Sequence, residues 1–500
     1  MIIGLGALLR LFLLGIKPPH FDEGINGWFV DAHIVKEGFY KYDPTNYHGP
    51  LHFYVLFLSQ TLFGRSIWAL RLPVVLVSIL CIWLTFKFEP FVGRTAARIA
   101  ALAMAVSPGF VFYGRYSIHE VWLVLFSMLF ILGLLGLWKF GTSKYLWCAG
   151  MGFTGMVLTK ETYIIHIGCA VIAAGVCYVA NLLSPLPDAR GAKQTWSYIN
   201  LAVVIAVGLA LIVFFYSGTF FHWHGVRDIF NAYAAWFKTG HAGNGHEKPF
   251  YYWLKLMAPS FQYPRADFLG YELPALVGLI LCLFCLRFKN VSLRYLSIYG
   301  VGTLMAYSIV RYKTPWCIIS IIWPFLFLFG AAMLALPSIS RRLANIITAI
   351  LLFVSLGSTV SLNYFRCTTE SEPYVYVQTY NDIFKLTEPL LALANHDPVF
   401  YEITGHIIRD STYPLPWILG DFPHVGYYEH DNLPAKLDAD FLLVQEDKVA
   451  EVEAKLKESY YTDLMTIRAY QDLSRIYFNA KIFKDFFPHR APDLKGKGTN

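Results

Sequence analysis

Long apolar runs separated by short polar turns fill the first 362 residues, and their lengths predict helices that cross a bilayer. A helical span needs about 17–25 apolar residues. Runs near 2–16, 72–86, 97–113, 120–138, 145–159, 162–183, 197–217, 274–286, 291–310, 316–336 and 343–362 meet or approach that length, giving about eleven candidate transmembrane helices. The first is short and carries Arg10 in its middle. A cleaved signal peptide is its rival reading, but no small-x-small site precedes Lys17-Pro18-Pro19; a start placed too far downstream would also explain the shortness. The run LHFYVLFLSQTLFG after Gly49-Pro50 is too brief to cross and reads as an interfacial or re-entrant helix. Beyond residue 362 the pattern changes. Strand-like pieces at 373–378, 398–401 and 440–444 alternate with helix-like ones at 379–395 and 447–459, which predicts a soluble α/β domain over 363–500.

Composition agrees. Apolar residues make up 56% of the 500 and charged ones 15%, well below the roughly 25% usual in soluble domains. This excludes a disordered chain, a disulfide-stapled secreted module and a cytosolic enzyme. The net charge of +7 divides unevenly: 27 Lys/Arg and 13 Asp/Glu up to residue 363, then 14 and 21. The basic residues of the body are scattered between apolar runs, so no nucleic-acid partner is expected.

Charge also predicts sidedness. If 51–63 does not cross, one set of loops holds Lys87, Arg94, Arg98, Lys139, Lys144, Arg190, Lys193, Arg287, Lys289, Arg294, Arg341 and Arg342, against only Glu89 and Asp188. The positive-inside rule makes those loops cytoplasmic. Eleven of the body's 13 carboxylates, the loop 17–71 and the C-terminal domain then lie outside a cell membrane.

Three polar features sit where outer loops meet spans: Pro18-Pro19-His20-Phe21-Asp22-Glu23-Gly24, Tyr113 to Glu120 with Arg115 and His119, and Thr159-Lys160-Glu161-Thr162. Charges at membrane depth are costly unless paired or functional, so each is either a structural ion pair or part of a site. Later outer loops add His222 and His224, His246-Glu247 before an aromatic run, and Arg311-Tyr312-Lys313-Thr314-Pro315-Trp316. The last is an interface anchor or a phosphate clamp. Cys282 and Cys285 have a C-x-x-C spacing inside an apolar run with no second pair, which reads as packing. Phosphate-binding loops, dinucleotide fingerprints and nucleophile elbows are missing. An outer-face enzyme has no nucleotide pool, so its activated substrate would arrive on a lipid phosphate.

In their order these segments resemble GT-C glycosyltransferases of the protein O-mannosyltransferase and lipid A aminoarabinose transferase type. The resemblance lies in Asp22-Glu23 after the first span, Tyr47-His48-Gly49-Pro50-Leu51-His52-Phe53-Tyr54, Arg71-Leu72-Pro73, Ser107-Pro108 through Arg115 and Glu120, and Thr159-Lys160. Together with His246 to Tyr252, Lys313-Thr314-Pro315-Trp316 and Tyr413-Pro414-Leu415-Pro416-Trp417, the pattern is similar to a prokaryotic subgroup associated with lipid-linked oligosaccharide flippase activity. Gly49, Glu120 and Glu161 depart from the family's usual Pro, Asp and Gly. The resemblance implies inverting transfer of a sugar from a polyprenyl-phosphate-linked donor to an outer-face glycan, lipid or protein acceptor. On that basis Asp22 is expected to accept the acceptor's proton, with Glu23 and Glu120 beside it as further catalytic carboxylates. Arg71, Arg115, Lys160, Arg311 and Lys313 are candidates to meet the phosphate. Glu23, Glu120 and His246 are candidates to hold a divalent metal ion or to orient donor hydroxyls. A flippase, transporter or non-catalytic accessory protein is the alternative.

Overall fold

The computed structural model describes residues 1–186, 191–243, 245–262, 267–269, 271–283, 288–335, 340–429 and 431–496. Asp188, Arg190, Cys285 and Arg287, invoked above, lie outside them, as does the side chain of Asp267. The chain forms two compact units: residues 1–14, 33–367 and 372–376, and residues 15–32, 368–371 and 377–500. The stretch bearing Asp22 and Glu23 therefore clusters with the C-terminal domain.

The first unit is helical. Its helices are α1 (Ile2–Leu11), then, after α2 (Phe21–Phe29) of the other unit, α3 (Leu51–Phe63), α4 (Ile67–Phe86), α5 (Glu89–Val92), α6 (Arg94–Val106), α7 (Pro108–Tyr113), α8 (Glu120–Phe140), α9 (Ser143–Val157), α10 (Tyr163–Leu183), α11 (Tyr198–Tyr216), α12 (His224–Ala242), α13 (Tyr252–Met257), α14 (Leu273–Leu281), α15 (Val291–Ile309), α16 (Ile318–Ala335) and α17 (Arg341–Val360). Among the described residues five segments are long and apolar enough to cross a membrane: α4, α8, α10, α11, and α17 with the turn that carries it to Phe365. The run expected at 97–113 is interrupted: Ser107 ends α6 and caps α7 by accepting from the Phe110 N–H, and Pro108 opens α7. The run after Pro50 is a 13-residue helix, about 20 Å long and short of the roughly 30 Å hydrocarbon core.

Arg10 is buried within this apolar packing because every donor it turns inward finds an oxygen. Its Nε donates to Ser78 Oγ at 2.7 Å, and its two terminal nitrogens reach the carbonyls of Gly6, Ala105 and Met104 at 3.1, 3.1 and 3.2 Å. An arginine can sit in a short span on those terms.

The second unit holds a mixed five-stranded sheet. Numbering after a short hairpin in the first unit (β1, Ser260–Gln262; β2, Asp267–Leu269), its strands are β3 (Gly405–Ile408), β4 (Val425–Tyr428), β5 (Phe441–Gln445), β6 (Tyr460–Met465) and β7 (Ser474–Asn479), in the order β4-β3-β5-β7-β6. β3 runs parallel to β4 and β5; β7 is antiparallel to β5 and β6. Alternation along the strands buries both faces. Ile407, Leu443 and Ile476 pack with Ile383, Leu386 and Leu390 of α18 (Ile383–His396). Ile408, Leu442, Val444 and Tyr477 pack with Val449 and Val452 of α20 (Glu446–Lys455). A four-residue helix, α19 (Leu415–Ile418), precedes β4.

The α/β class and the strand at 440–444 agree with the sequence reading; two other expected strands do not. Residues 398–402 form a 3-10 turn, because Asp397 accepts from the Val399 N–H and Pro398 favours a helical start. Residues 373–378 form no strand; the nearest pairing is an isolated bridge just after them, between Thr379 and Arg468.

Candidate functional site

In the helical unit, the turn before α8, the turn between α9 and α10 and the entry to α16 meet at one end. Glu120 opens α8, where a carboxylate faces the partial positive charge of the helix N-terminus. Its Oε1 pairs with Lys160 Nζ, both side chains being buried, and accepts a 3.5 Å contact from Cys317 Sγ. Burial alone would lower the Lys160 pKa, but Glu120, with Cys317 and Glu161, outweighs it and holds the ammonium well above the usual lysine value. The structure thus pairs two residues that the sequence offered in separate polar features.

Beside it lies a histidine cluster. His48 Nδ1 is 3.0 Å from Glu161 Oε2. The ring of His119 packs against His48 at 4.6 Å and His52 at 4.5 Å between centroids. Trp122 Nε1 donates to His52 Nδ1 at 3.1 Å, so His52 is the tautomer protonated at Nε2, which points at the Ser117 carbonyl at 3.3 Å. Burial, then the neighbouring His52, His48 and Lys160, push the His119 pKa well below the ordinary value, leaving it neutral. Its Nε2 is buried without a hydrogen-bond partner.

The backbone explains how His48 reaches Glu161. Gly49 N donates to the Thr159 carbonyl and Leu51 N to the Leu158 carbonyl, each at 3.1 Å. A Cβ at Gly49 would collide with the Leu158 carbonyl, so the close approach demands glycine. The departure from the family's proline at this position thus has a packing reason. His48, His52 and His119 carried no role in the sequence reading. Their signal was present, since His48-Gly49-Pro50 and His119-Glu120 flank the residues singled out, but nothing in spacing alone brings three loops together.

The expected phosphate-binding residues divide. Arg115 Nη1 donates to the carbonyls of Leu9 and Phe12 at 3.1 and 2.7 Å and to Tyr364 Oη at 3.2 Å, and Nη2 to the carbonyl of Leu13 at 2.7 Å. Arg71 Nη1 donates to the Leu14 carbonyl at 2.8 Å. These buried guanidiniums hold carbonyls at and just beyond the end of α1, so both side chains brace that end of the helix. Lys313 is buried, its Nζ donating to the carbonyls of Lys248 (3.1 Å) and Val310, and burial lowers its pKa. Arg311 is exposed, its side chain without a partner among the described residues. Lys160 is paired with a carboxylate, Glu120.

The residues named for a metal ion have these partners. His246 Nδ1 is 2.5 Å from Tyr376 Oη. Glu23 Oε2 accepts from the His20 N–H at 2.9 Å and closes the capping box of α2. Among the described residues no group of three or more His, Cys, Asp or Glu side chains is arranged to hold an ion.

In the second unit, Asp22 lies in the first turn of α2 with about a third of its side chain exposed. Cβ atoms at Gly24 and Gly27 would strike Pro414 and Trp417, so α2 lies flat on the Tyr413–Trp417 segment.

Residues 47–215 match the family model described as dolichyl-phosphate-mannose-protein mannosyltransferase. The fold is similar to the crystal structure of ArnT from Cupriavidus metallidurans bound to undecaprenyl phosphate, with a TM-score of 0.64 at 14% identity over 96% of this chain and 98% of that one. The apo structure of the same protein matches with a TM-score of 0.64 at 13% identity over the same shares. No curated protein matches by sequence. The chain is thus similar to that mannosyltransferase family over residues 47–215, about a third of its length, and shares the fold of ArnT over nearly all of it.

Proposed function

We propose that the chain transfers a sugar from a polyprenyl-phosphate carrier to an acceptor on the outer face of the cell membrane, inverting the anomeric centre. The observation that carries this reading is the buried Glu120–Lys160 pair with the His48–Glu161 contact and the neutral His119 beside it. In the reaction the acceptor oxygen attacks the anomeric carbon and its proton passes to Asp22 as general base. The bond from that carbon to the phosphate oxygen breaks, and the lipid phosphate leaves with the electron pair. Lys160, kept charged by Glu120, meets the growing negative charge on the leaving phosphate. The Nε2 of His119, buried and without a hydrogen-bond partner among the described residues, would gain one from a substrate hydroxyl that entered beside it. No step is routed through a metal.

The ArnT structure with bound undecaprenyl phosphate supports the choice of carrier, and the charge distribution of the loops supports the outer face. A transport reading draws instead on His166, buried in α10 with its Nδ1 2.7 Å from Tyr299 Oη and its Nε2 3.3 Å from Tyr307 Oη. Yet Glu120, Lys160, Glu161 and His48 gather at helix ends rather than along a path through the body, which favours transfer. The test is Asp22→Asn, assayed for transfer of a radiolabelled sugar from a polyprenyl phosphate in proteoliposomes. A loss of at least a hundredfold is expected, and wild-type turnover would remove Asp22 from the reaction.

A further inference from the structure

We propose that the helical unit carries a lipid-binding site apart from the Glu120–Lys160 pair: a cavity between α8, α10 and α15 that takes one acyl chain of an anionic glycerophospholipid. The site is independent of sugar transfer.

The cavity has a volume of about 380 Å³, within the roughly 300–1,000 Å³ of sites that hold small molecules. It lies toward the far ends of the two spans that begin at Glu120 and just after Lys160. Trp138, in its wall, is 18 residues along α8 from Glu120, about 27 Å of helix. The side formed by α10 is open to lipid. Tyr178 lines the cavity and is 66% exposed, and Val171, Ile172, Val179 and Leu182 of the same membrane-spanning helix are exposed apolar side chains. On a helix that crosses a bilayer such a surface faces hydrocarbon.

The walls grade from apolar to polar along the helix axes. Toward the middle of the helices they are Leu134 and Leu135 of α8, Ala174 and Cys177 of α10 and the ring of Tyr295 of α15. The Tyr295 hydroxyl is engaged with the Ala170 carbonyl at 3.1 Å. One to two turns nearer the ends of α8 and α10 stand Trp138, Tyr178 and Asn181. Asn181 Oδ1 accepts from the Leu186 N–H at 3.0 Å, which fixes the amide and leaves Nδ2 as a donor. No acceptor among the described residues meets that Nδ2 or Trp138 Nε1.

Water suits this space poorly, because each molecule needs two to four polar partners and the apolar part offers little beyond the Cys177 thiol. A hydrocarbon chain fills that part, and an ester or phosphate oxygen at its end satisfies the two donors. The gradient matches a lipid standing in its leaflet, head at the helix ends and chain toward the middle. Charge selects among lipids. Lys139 follows Trp138, Lys289 lies two residues before the cavity-lining Val291, and both are exposed. Lys139 Nζ donates to the Pro90 carbonyl at 2.7 Å and so keeps its charge. Glu89, beside Pro90, is turned to Arg98 at 3.8 Å. The positive balance at this end favours an anionic head.

The test is native mass spectrometry of the full-length protein released from detergent after titration with palmitoyl-oleoyl phosphatidylglycerol. The matching phosphatidylcholine and a polyprenyl phosphate are separate arms. One phosphatidylglycerol should be retained, and phosphatidylcholine about tenfold more weakly. Ala174→Phe puts a ring into the space and should weaken phosphatidylglycerol retention about tenfold. Asn181→Leu removes one donor and should weaken it about fivefold. Val171→Phe, on the exposed face of α10 outside the cavity, should leave it unchanged. Should Ala174→Phe fold poorly, Asn181→Leu against Val171→Phe still decides. Equal retention by the unsubstituted protein, Ala174→Phe and Asn181→Leu would reduce the bound lipid to the general belt around the helices and overturn the proposal. Equal retention of phosphatidylcholine overturns the anionic assignment. Tighter retention of the polyprenyl phosphate, lost in the same two variants, would give the cavity to that chain and overturn the phospholipid assignment.

Discussion

At the scale of single residues, the site depends on charges that burial would otherwise forbid. Lys160 and Glu120 are each tolerable only because the other is there: breaking a buried pair by removing one partner typically costs about 3–5 kcal/mol, whereas replacing both with neutral groups costs little. Lys160→Met and Glu120→Gln should therefore each lower the thermal unfolding midpoint in detergent, and the double variant should recover most of it. If Lys160 also meets the leaving phosphate, the double variant regains stability and not transfer. Turnover near wild type in the stable double variant would confine the pair to a structural role. Sequence showed this pair as polar residues at span ends, because a charge beside an apolar run is conspicuous wherever it falls. It could not show His119 beside His48 and His52, since those contacts join segments about seventy residues apart.

At the scale of elements, the same economy governs how helices are tied together. Glu272, ahead of α14, accepts from Ser107 Oγ at 2.8 Å, from the Gly109 N–H at 2.7 Å and from Tyr374 Oη at 3.2 Å. It joins the start of α14 to the start of α7 and to residue 374. Burial pushes its pKa up from 4.5 to about 7 despite those three donors. A carboxyl whose pKa is higher folded than unfolded holds its proton more tightly in the native state. Its contribution to stability is thus greatest below pH 4.5, falls as pH rises from 4.5 to 7, and is flat above that. The difference is about 3 kcal/mol. Glu272→Gln does not titrate, so its stability relative to wild type should rise by up to that amount between pH 4.5 and 8, measured by unfolding midpoints across pH. A difference between the two proteins that does not vary with pH would show that Glu272 is not buried as drawn. The break at Ser107-Pro108 that creates this junction was readable as a helix boundary. The acceptor waiting for Ser107 was not, because Glu272 lies 165 residues away.

At the scale of the whole molecule, the distribution of charge makes a testable prediction about the two faces of the body. Arg311 lies in the turn before α16, whose Cys317 contacts Glu120, and so at the end of the helical unit that bears the site. Arg94 opens α6, whose other end leads through α7 to the turn before Glu120. Arg341 opens α17, whose far end brings Tyr364 to Arg115. Arg94 and Arg341 therefore belong to the opposite end, the one whose loops collect the basic excess, and all three side chains are exposed. The positive-inside rule predicts Arg94 and Arg341 in the cytoplasm and, if so, the site outside. Single cysteines in place of each residue, probed in spheroplasts with a membrane-impermeant maleimide and compared with the unsubstituted chain, should label at 311 and not at 94 or 341 until the membrane is opened. The reverse pattern would turn the site toward the cytoplasm and remove the reason for a lipid-borne donor, because soluble nucleotide sugars are available there. Labelling at all three positions would mean that an even number of crossings separates Arg311 from both Arg94 and Arg341, and would overturn the division of the body into a basic and a site-bearing face.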